Sequence, residues 1–324
     1  FGLLATFILA YWPDLAKRNF IRRIITPVVR AYPKNPKKGV VKEFYAEHEA
    51  HEFIESLGLE KFNNEYRELQ YYKGLGSHDP KKGEVKQLFK NIQQKICTYI
   101  IDENALATMH IYYGKAVSNR KIALKTPVKE IKREALTTRM PLSLHFEIDT
   151  KAYQRDNIIR KLLSRVDGFV SSRRKIFYTA RKHPTTRFKV QGLAGKVVAD
   201  ADYHHGESSL EDAIVRMAQS FPYARNLPLL EPEGNFGSLS MGFKDYAQSR
   251  YIFTKYNNKL SDKIFRREDD YILKYELNDG NRYEPIYYCP IIPYVLMETN
   301  ILPATGWKIE VYSRDFVSVL KNVR

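Results

Sequence analysis

The start of the chain alternates between helix-like and strand-like patterns, and this alternation constrains the fold more than any other feature. The apolar run Phe1–Trp12 is shorter than the roughly 20 residues that a membrane span takes, and no basic region or small-residue cleavage site flanks it. It therefore predicts a buried helix, which Pro13 ends. Residues 20–29 then predict a short buried strand bounded by Pro27. Together these patterns indicate an α/β unit.

The middle of the chain continues the alternation. Residues 43–57 and 84–100 predict helices, and the basic, weakly patterned stretch 115–140 predicts a connector. Apolar residues alternate over 142–148, which favours a strand. Asp149 is then expected to cap a helix that begins at the next residue.

The second half begins with basic and His-rich segments. Ser208 or Ser209 is expected to cap a helix that follows a His-rich turn and points its N-terminus at DNA. Its predicted apolar stripe consists of Leu210, Ile214, Met217 and Phe221. Residues 230–235 predict a turn, after which a β-rich stretch delivers Tyr251 on a wing-like loop.

Composition is compatible with a globular chain in a reducing compartment whose partner is a polyanion, a nucleic acid or a membrane surface. The 324 residues suffice for two or three domains, and 53 Lys and Arg against 37 Asp and Glu give a net charge of +16. The 23 Tyr and 17 Phe exclude a disordered basic tail. Two cysteines, Cys97 and Cys289, form neither a disulfide framework nor a zinc site.

The run Arg250-Tyr251-Ile252-Phe253-Thr254 carries a candidate nucleophile. A tyrosine that attacks a phosphodiester needs help in losing its proton and a cation to meet the charge that develops on phosphorus oxygens. Arg250 and a histidine from the Tyr203–Glu207 segment are suitable groups. Taken alone, the run also fits a buried strand tyrosine beside a surface arginine.

Ordered motifs along the chain resemble those of type IIA DNA topoisomerases of the eukaryotic kind. Residues 203–210 resemble YHHGE.SL, residues 72–77 resemble YKGLGTS, and residues 235–254 resemble G.FG followed by GGKDAASPRYIFT. Residues 284–293 resemble EP...PI.P, and residues 305–307 resemble the end of GTGW. Departures from the usual sequence indicate a divergent member, such as one from a large cytoplasmic DNA virus.

The resemblance implies a fold of class α/β plus α+β. Residues 1–125 would be the C-terminal part of a TOPRIM α/β domain with a connector, and residues 126–285 a winged-helix DNA-binding domain with the catalytic tyrosine. Residues 286–324 would begin a β-rich tower domain.

The implied reaction is transesterification through Tyr251, which leaves a 5′-phosphotyrosine and a 3′-hydroxyl. Arg250 would clamp the scissile phosphate, and His205 would stabilise the transition state. Within residues 160–175, which resemble RSIPS..DG.KPGQRK, Arg160 and Arg174 match phosphate-binding arginines. Val170 replaces the motif lysine, a departure that puts one phosphate contact in doubt.

Further DNA contacts are implied at several positions, although the basic stretch alone also fits a solvated helix and the turn at Lys73 also fits a structural role. Ile291 matches the isoleucine that wedges between base pairs and bends the duplex, whereas without the resemblance its segment would be core. The predicted DNA-binding residues are Lys73, His204, Arg173, Lys175 and Ile291.

Ser208 and Asp212 lie four residues apart on one face of the predicted helix. Bacterial relatives carry a Ser and an acidic residue at that spacing, which hold the water shell of a fluoroquinolone-chelated Mg²⁺. The pair is therefore a candidate drug site. The alternative is a helix-capping Ser with a surface Asp near the positive end of the helix dipole.

The resemblance also implies cofactors and partners. Mg²⁺ would be bound by an acidic cluster upstream of Phe1, with no metal ligand in this chain, and ATP would bind elsewhere in the full-length enzyme. The expected partners are double-stranded DNA and a second copy of the chain, without a membrane. For a viral enzyme the expected location is the host cytoplasm, with the nucleus as a second compartment, and otherwise the location is the nucleus.

Two rival functions stay open. A non-catalytic basic winged-helix module would bind DNA without needing the Arg250–Tyr251 pair. A tyrosine recombinase would leave a 3′-phosphotyrosine and need no metal.

Overall fold

The protein, seen here in a computed structural model, divides into two compact units, Phe1–Gln154 and Arg155–Arg324. The predicted boundaries at residues 125 and 285 stay predictions. The structure describes residues 1–35, 39–72, 86, 89–90, 92–128, 138–203, 205–221, 226–278 and 281–323.

The first unit opens with the predicted helix and with a strand that is shorter than predicted and not buried, since the residues of β1 are exposed or half-buried. Helices α1 (Gly2–Tyr11) and α2 (Pro13–Lys17) precede β1 (Arg22–Ile24), which pairs antiparallel with β5 (Ile96–Ile100). Strand β5 also pairs in parallel with β6 (Arg139–Pro141). Only one side of α1 is buried, through Ala5, Ile8 and Leu9.

A second antiparallel sheet of this unit has β2 (Val29–Pro33) between β3 (Lys42–Phe44) and β4 (Tyr66–Tyr71). The predicted helix over 43–57 is confirmed as α3 (Glu47–Leu57), and α4 (Leu59–Glu65) follows it. A small aromatic core lies between these helices and the sheet, formed mainly by Phe44, Phe53, Phe62 and Tyr66.

The single helix predicted over 84–100 is wrong at its C-terminal end. Helix α5 (Ile92–Lys95) stops where β5 begins, because alternate residues of that strand are buried between two neighbouring strands. The connector predicted over 115–140 also contains regular structure. After α6 (Ala105–Tyr113), helix α7 (Val117–Lys125) forms although it buries only Leu124.

The strand predicted over 142–148 is wrong. The chain is helical there, with α8 (Leu142–His145), a π-helical turn (Phe146–Thr150) and α9 (Lys151–Lys161) in succession. The buried residues are Leu142, His145, Phe146 and Thr150, and spacings of three and four residues are those of a helix.

Asp149 is not a helix cap, because the helical backbone continues through it. Its carboxylate lies 2.8 Å from His145 Nδ1 and 3.5 Å from Arg23. Among the residues described, no helix combines the length and apolar character needed to cross a bilayer.

In the second unit, three helices enclose the main core: α10 (Ser171–Lys182), α11 (Val190–Ala201) and α12 (Glu207–Ala218). The predicted helix after the His-rich turn is thus confirmed, and Leu210, Ile214 and Met217 are buried as expected. The predicted cap is wrong. Gly206 is the N-cap, and its extended backbone places both serines inside the first turn.

A small antiparallel sheet completes this core, with β9 (Phe253–Tyr256) between β7 (Phe188–Lys189) and β8 (Leu230–Glu233). The turn predicted over 230–235 is therefore wrong for its first four residues, since Leu230 is buried opposite Tyr256. Chain reversal comes next, at Gly234, whose φ of +106° suits glycine.

The unit ends in short elements. Helix α13 (Asn258–Ile264) precedes the hairpin of β10 (Tyr275–Asn278) and β11 (Asn281–Pro285). A second hairpin joins β12 (Asn300–Ala304) to β13 (Trp307–Val311), and helix α14 (Phe316–Val323) follows.

Candidate functional site

Tyr251 lies in a turn at the entrance to β9, with its side chain exposed. Its backbone N–H donates to Gln248 O over 2.8 Å, and the next residue, Ile252, is buried. Val190 N–H, at the start of α11, donates to Ile252 O over 3.0 Å. The ring is 66% exposed, and its hydroxyl has no hydrogen-bond partner within the described part of the chain. A fixed backbone therefore presents a free phenol to solvent.

Arg250 is exposed beside this phenol. Its guanidinium carbon lies 5.0 Å from the centroid of the Tyr251 ring, within the range of a cation–π contact. The sequence predicted this cation next to the nucleophile, and the turn keeps the two side chains on the same surface.

Arg160 and His205, predicted as separate phosphate and transition-state groups, lie together in the second unit. Arg160 Nη1 is 2.9 Å from His205 Nε2, across 45 residues of sequence. Arginine can only donate, so Nε2 accepts and the histidine in this arrangement is neutral, with its proton on Nδ1. The edge of the Tyr203 ring supports the imidazole at 5.4 Å between centroids.

Two hydrogen bonds that the sequence analysis missed join the segment before Tyr251 to α12. Ser249 Oγ donates to Glu211 Oε2 over 2.7 Å, and Tyr246 Oη donates to Asp212 Oδ1 over 2.6 Å. The bond to Asp212, together with partial burial, raises the pKa of Tyr246 above its ordinary value. A signal was present in the motif comparison, where Ala and Pro stand at the positions of Tyr246 and Ser249.

Asp245 organises the preceding loop. Its carboxylate accepts from Ser238 Oγ over 2.7 Å and from Ser238 N over 2.8 Å, and these bonds hold the pKa of Asp245 below its usual value. Phe243, where the motif has its second Gly, adopts a left-handed φ of +67° and stacks on Phe221 at 4.0 Å between centroids. The loop thus tolerates a strained side chain that it holds by stacking.

Arg174 is engaged inside the protein. Its Nε and Nη2 donate to Asp167 over 2.8 and 3.1 Å, and the Asp167 side chain is fully buried. Asp167 also accepts from the backbone N–H groups of Phe169 and Tyr288, each over 3.0 Å. Sequence reasoning overlooked Asp167, which anchors the arginine that the motif assigns to phosphate binding.

The two neighbours of Arg174 are not positioned as the predicted DNA contacts. Arg173 is buried and donates to Glu298 over 2.6 Å. Lys175 Nζ lies 2.7 Å from Glu284 and donates to Ala201 O over 2.6 Å. Buried carboxylates take up both charges, so in this arrangement the two residues hold α10 to later segments rather than facing a phosphate.

The remaining predicted residues differ in exposure. Ile291 is 54% exposed, while the adjacent Ile292 is buried, so the first isoleucine is available as a wedge. Ser208 is exposed on the first turn of α12. Lys73 and His204 lie outside the described residues.

No group of three or more His, Cys, Asp or Glu side chains that could hold a metal ion occurs within the described ranges. The described residues thus supply no such set of ligands for Mg²⁺.

Comparison with protein families identifies both parts of the chain. Residues 160–324 match the family model for the A-type polypeptide of DNA gyrase/topoisomerase IV. Residues 24–151 match the model for the C-terminal associated domain of TOPRIM.

Full-length relatives cover the whole chain. DNA topoisomerase 2 of African swine fever virus (isolate Tick/South Africa/Pretoriuskop Pr4/1996) is 35% identical over 332 residues, which cover 100% of this chain and 27% of that protein. The enzymes named DNA topoisomerase 2 from Drosophila melanogaster and Arabidopsis thaliana are 32% and 34% identical, again over 100% of this chain and over 23% and 22% of theirs. The chain thus spans about a quarter of the length of these relatives.

The fold also matches a solved structure. The DNA-binding, cleavage and re-ligation domain of Plasmodium falciparum topoisomerase II superposes with a TM-score of 0.84 at 29% identity, covering 99% of this chain and 43% of that one. The predicted resemblance is confirmed by these matches, and the mixed α/β fold agrees with them. The chain belongs to the type II DNA topoisomerase family.

Proposed function

We propose that this chain forms the DNA-cleaving part of a type II topoisomerase and that Tyr251 is its nucleophile. The observation that carries the proposal is the exposed Tyr251 phenol, held on a fixed turn beside Arg250. A non-catalytic DNA-binding module has no need of a solvent-facing tyrosine in that setting. The family relationship supports the same conclusion.

In the proposed reaction, the phenolic oxygen of Tyr251 attacks a backbone phosphorus. A new O–P bond forms while the bond from phosphorus to the 3′ oxygen breaks. The phosphate stays on the 5′ end as a phosphotyrosine ester. The phenol loses its proton to water, and the departing 3′ oxygen gains one. One O–P bond is exchanged for another, so the reverse reaction can reseal the strand.

The basic groups of the second unit would neutralise the phosphate as it passes through the transition state. Arg250 is placed to contact the attacked phosphate, and Arg160 can donate to a phosphate oxygen while it orients His205. Phosphoryl transfer depends mainly on such positioning and charge stabilisation. Arg174, whose guanidinium donates to buried Asp167, would support this region of the fold rather than contact the attacked phosphate.

We further propose that Ile291 inserts between base pairs and bends the duplex. Its exposure, in contrast to the burial of the adjacent Ile292, supports this role. In this scheme residues 126–285 form a winged-helix domain and residues 286–324 begin a tower domain. Lys73 and His204 would add backbone contacts.

The enzyme would act on double-stranded DNA as a homodimer inside the cell. The net charge of +16 supports a polyanionic partner. Type II topoisomerases and TOPRIM domains use Mg²⁺ generally, and ATP would drive strand passage from a site elsewhere in the full-length enzyme. Ser208 and Asp212 remain a candidate contact for quinolone-bound Mg²⁺, although Asp212 already accepts from Tyr246.

The test is covalent trapping by the full-length enzyme. Wild-type protein, Tyr251→Phe and Tyr271→Phe are incubated with end-labelled duplex DNA and denatured, and protein-linked DNA is counted. Tyr251→Phe should abolish the adduct without weakening DNA binding, because only the attacking oxygen is removed. Tyr271 is a matched control, since its side chain is 93% exposed in the same unit.

An adduct of normal yield in Tyr251→Phe would exclude Tyr251 as the nucleophile. Binding by the wild type with no adduct at all would favour the non-catalytic module. A linkage to the 3′ rather than the 5′ end would indicate a tyrosine recombinase.

A further inference from the structure

The Tyr251 turn is held by backbone contacts mainly on one side. Val190 N–H bonds to Ile252 O, and Gln191 N–H bonds to Ser249 O over 3.3 Å, so the start of α11 supports the turn from the sheet side. These contacts fix the backbone where β9 begins. In the segment that leads into the turn, residues 246–249, the backbone also bonds through Ala247 N–H, which donates to Asn235 O over 3.0 Å, and side-chain bonds supply the remaining attachments.

Two adjacent acidic residues of α12 accept hydrogen bonds from the first and last residues of that segment. Asp212 accepts from Tyr246 Oη, and Glu211 accepts from Ser249 Oγ. Both acceptors are carboxyl oxygens, and their bonds of 2.6 and 2.7 Å lie at the short end of the usual range for hydroxyl donors. The Ser249–Glu211 bond is partly buried, so water competes with it less effectively than at an open surface.

The family motif that this stretch resembles differs from the chain at the positions of these two hydroxyls. Between the matched GGKD and RYIFT segments, the family motif has A-A-S-P where this chain has Tyr246-Ala247-Gln248-Ser249. Proline restricts the backbone directly, because its ring fixes φ. Serine does not fix φ in this way. In this chain the hydrogen bond from the Ser249 hydroxyl to Glu211 restrains the same position instead.

We propose that Ser249 and Glu211, assisted by Tyr246 and Asp212, are positioning residues that hold the Tyr251 turn in its reactive geometry. This inference rests on the proposed role of Tyr251 as the nucleophile. The residues touch neither the phosphate nor the leaving oxygen, and they act through the backbone that joins Ser249 to Arg250 and Tyr251. Loss of their hydrogen bonds would displace both Tyr251 and Arg250 from the positions that the reaction needs.

The experiment is a double-mutant cycle in the full-length enzyme with Ser249→Ala, Glu211→Ala and the double variant. The single-turnover rate of cleavage is measured on a nicked duplex that cannot religate, and the Kd for the same duplex is measured by anisotropy. Each single variant should slow cleavage by about tenfold or more while the Kd changes less than about twofold, since a small misplacement of a reacting group costs rate more than binding.

The double variant should be no slower than the singles, because the pair acts as one unit. Ser249→Thr keeps the hydroxyl and should restore the rate. Glu211→Gln keeps an acceptor oxygen and should restore most of it. Tyr246→Phe, which removes one oxygen, should give a smaller loss of the same kind. Should Glu211→Ala not fold, the comparison of Ser249→Ala with Ser249→Thr still decides the question.

Three results would overturn the proposal: unchanged cleavage in both single variants, equal losses of rate and binding, or additive losses in the double variant. The absence of any adduct from the wild type would instead overturn the proposed function. The two failures are thus distinguishable.

Discussion

The Tyr251 turn and helix α10 both carry basic residues of family motifs, but the basic side chain of the turn is exposed whereas those of α10 are paired with carboxylates. Arg250 is exposed and lies against the tyrosine ring. Arg173, Arg174 and Lys175 instead have carboxylates within 2.6–2.8 Å: Glu298, Asp167 and Glu284 respectively. The side chains of these three carboxylates are almost fully buried.

This difference shows that a motif residue and a DNA contact are separate things. A buried ion pair gives up hydration on both sides, so removing one partner leaves a costly isolated charge. An exposed arginine has no such tie to its neighbours and can bind a phosphate. The comparison predicts that α10 substitutions act on stability, whereas substitutions at the turn act on chemistry.

The largest effect is expected at Asp167. Asp167→Ala leaves the Arg174 guanidinium without its carboxylate and leaves the N–H groups of Phe169 and Tyr288 without an acceptor. Loss of one partner of a buried pair costs about 3–5 kcal/mol, so the free energy of unfolding should fall by that amount. Urea unfolding of the full-length enzyme measures it, followed through the transition of this unit.

Asp156→Ala is the matched control, because its exposed ion pair with Arg160 is worth about 0–1 kcal/mol. Equal losses of unfolding free energy in the two aspartate variants would contradict the proposed difference between buried and exposed ion pairs.

A smaller and cleaner contrast separates two adjacent isoleucines. Ile292→Ala should lower the free energy of unfolding by about 2–5 kcal/mol, since its side chain is 5% exposed in the main core. Ile291→Ala should change stability by about 0.5 kcal/mol or less, because that side chain is exposed. It should nevertheless reduce DNA bending, measured by energy transfer between labelled duplex ends. Unchanged bending in Ile291→Ala would refute the wedge.

The sequence predicted the groups of the site better than their surroundings. Tyr251, Arg250, Arg160 and His205 could be named because each matches a position in a family motif, whereas the contact between Arg160 and His205 was not predicted. The burial of Arg173 could not, because it depends on Glu298, which lies 125 residues away. The sequence of a basic run does not reveal whether its side chains pair with phosphates or with carboxylates far along the chain.

Errors in the fold have a similar origin. Over 142–148 the apolar letters alternate, but burial follows Leu142, His145 and Phe146, and the apolar pattern gave no sign that a histidine would be buried. Residues 96–100 became a strand because β1 and β6 lie on either side of them. Neither neighbour is evident from the local pattern.

The smallest effect is a change in the salt dependence of DNA binding. Each neutralised phosphate contributes roughly −0.9 to the slope of log K against log salt. Arg250→Ala should therefore make the slope shallower by about one, while Arg173→Ala should leave it unchanged, because the Arg173 charge is already paired with buried Glu298. Anisotropy titrations of a short duplex at several salt concentrations measure both slopes. Arg173→Lys, which keeps the charge but not the fork geometry, controls for loss of folded protein. A shallower slope for fully folded Arg173→Ala would mean that Arg173 leaves Glu298 and binds DNA. The contrast between exposed Arg250 and paired Arg173 would then apply only to the protein without DNA.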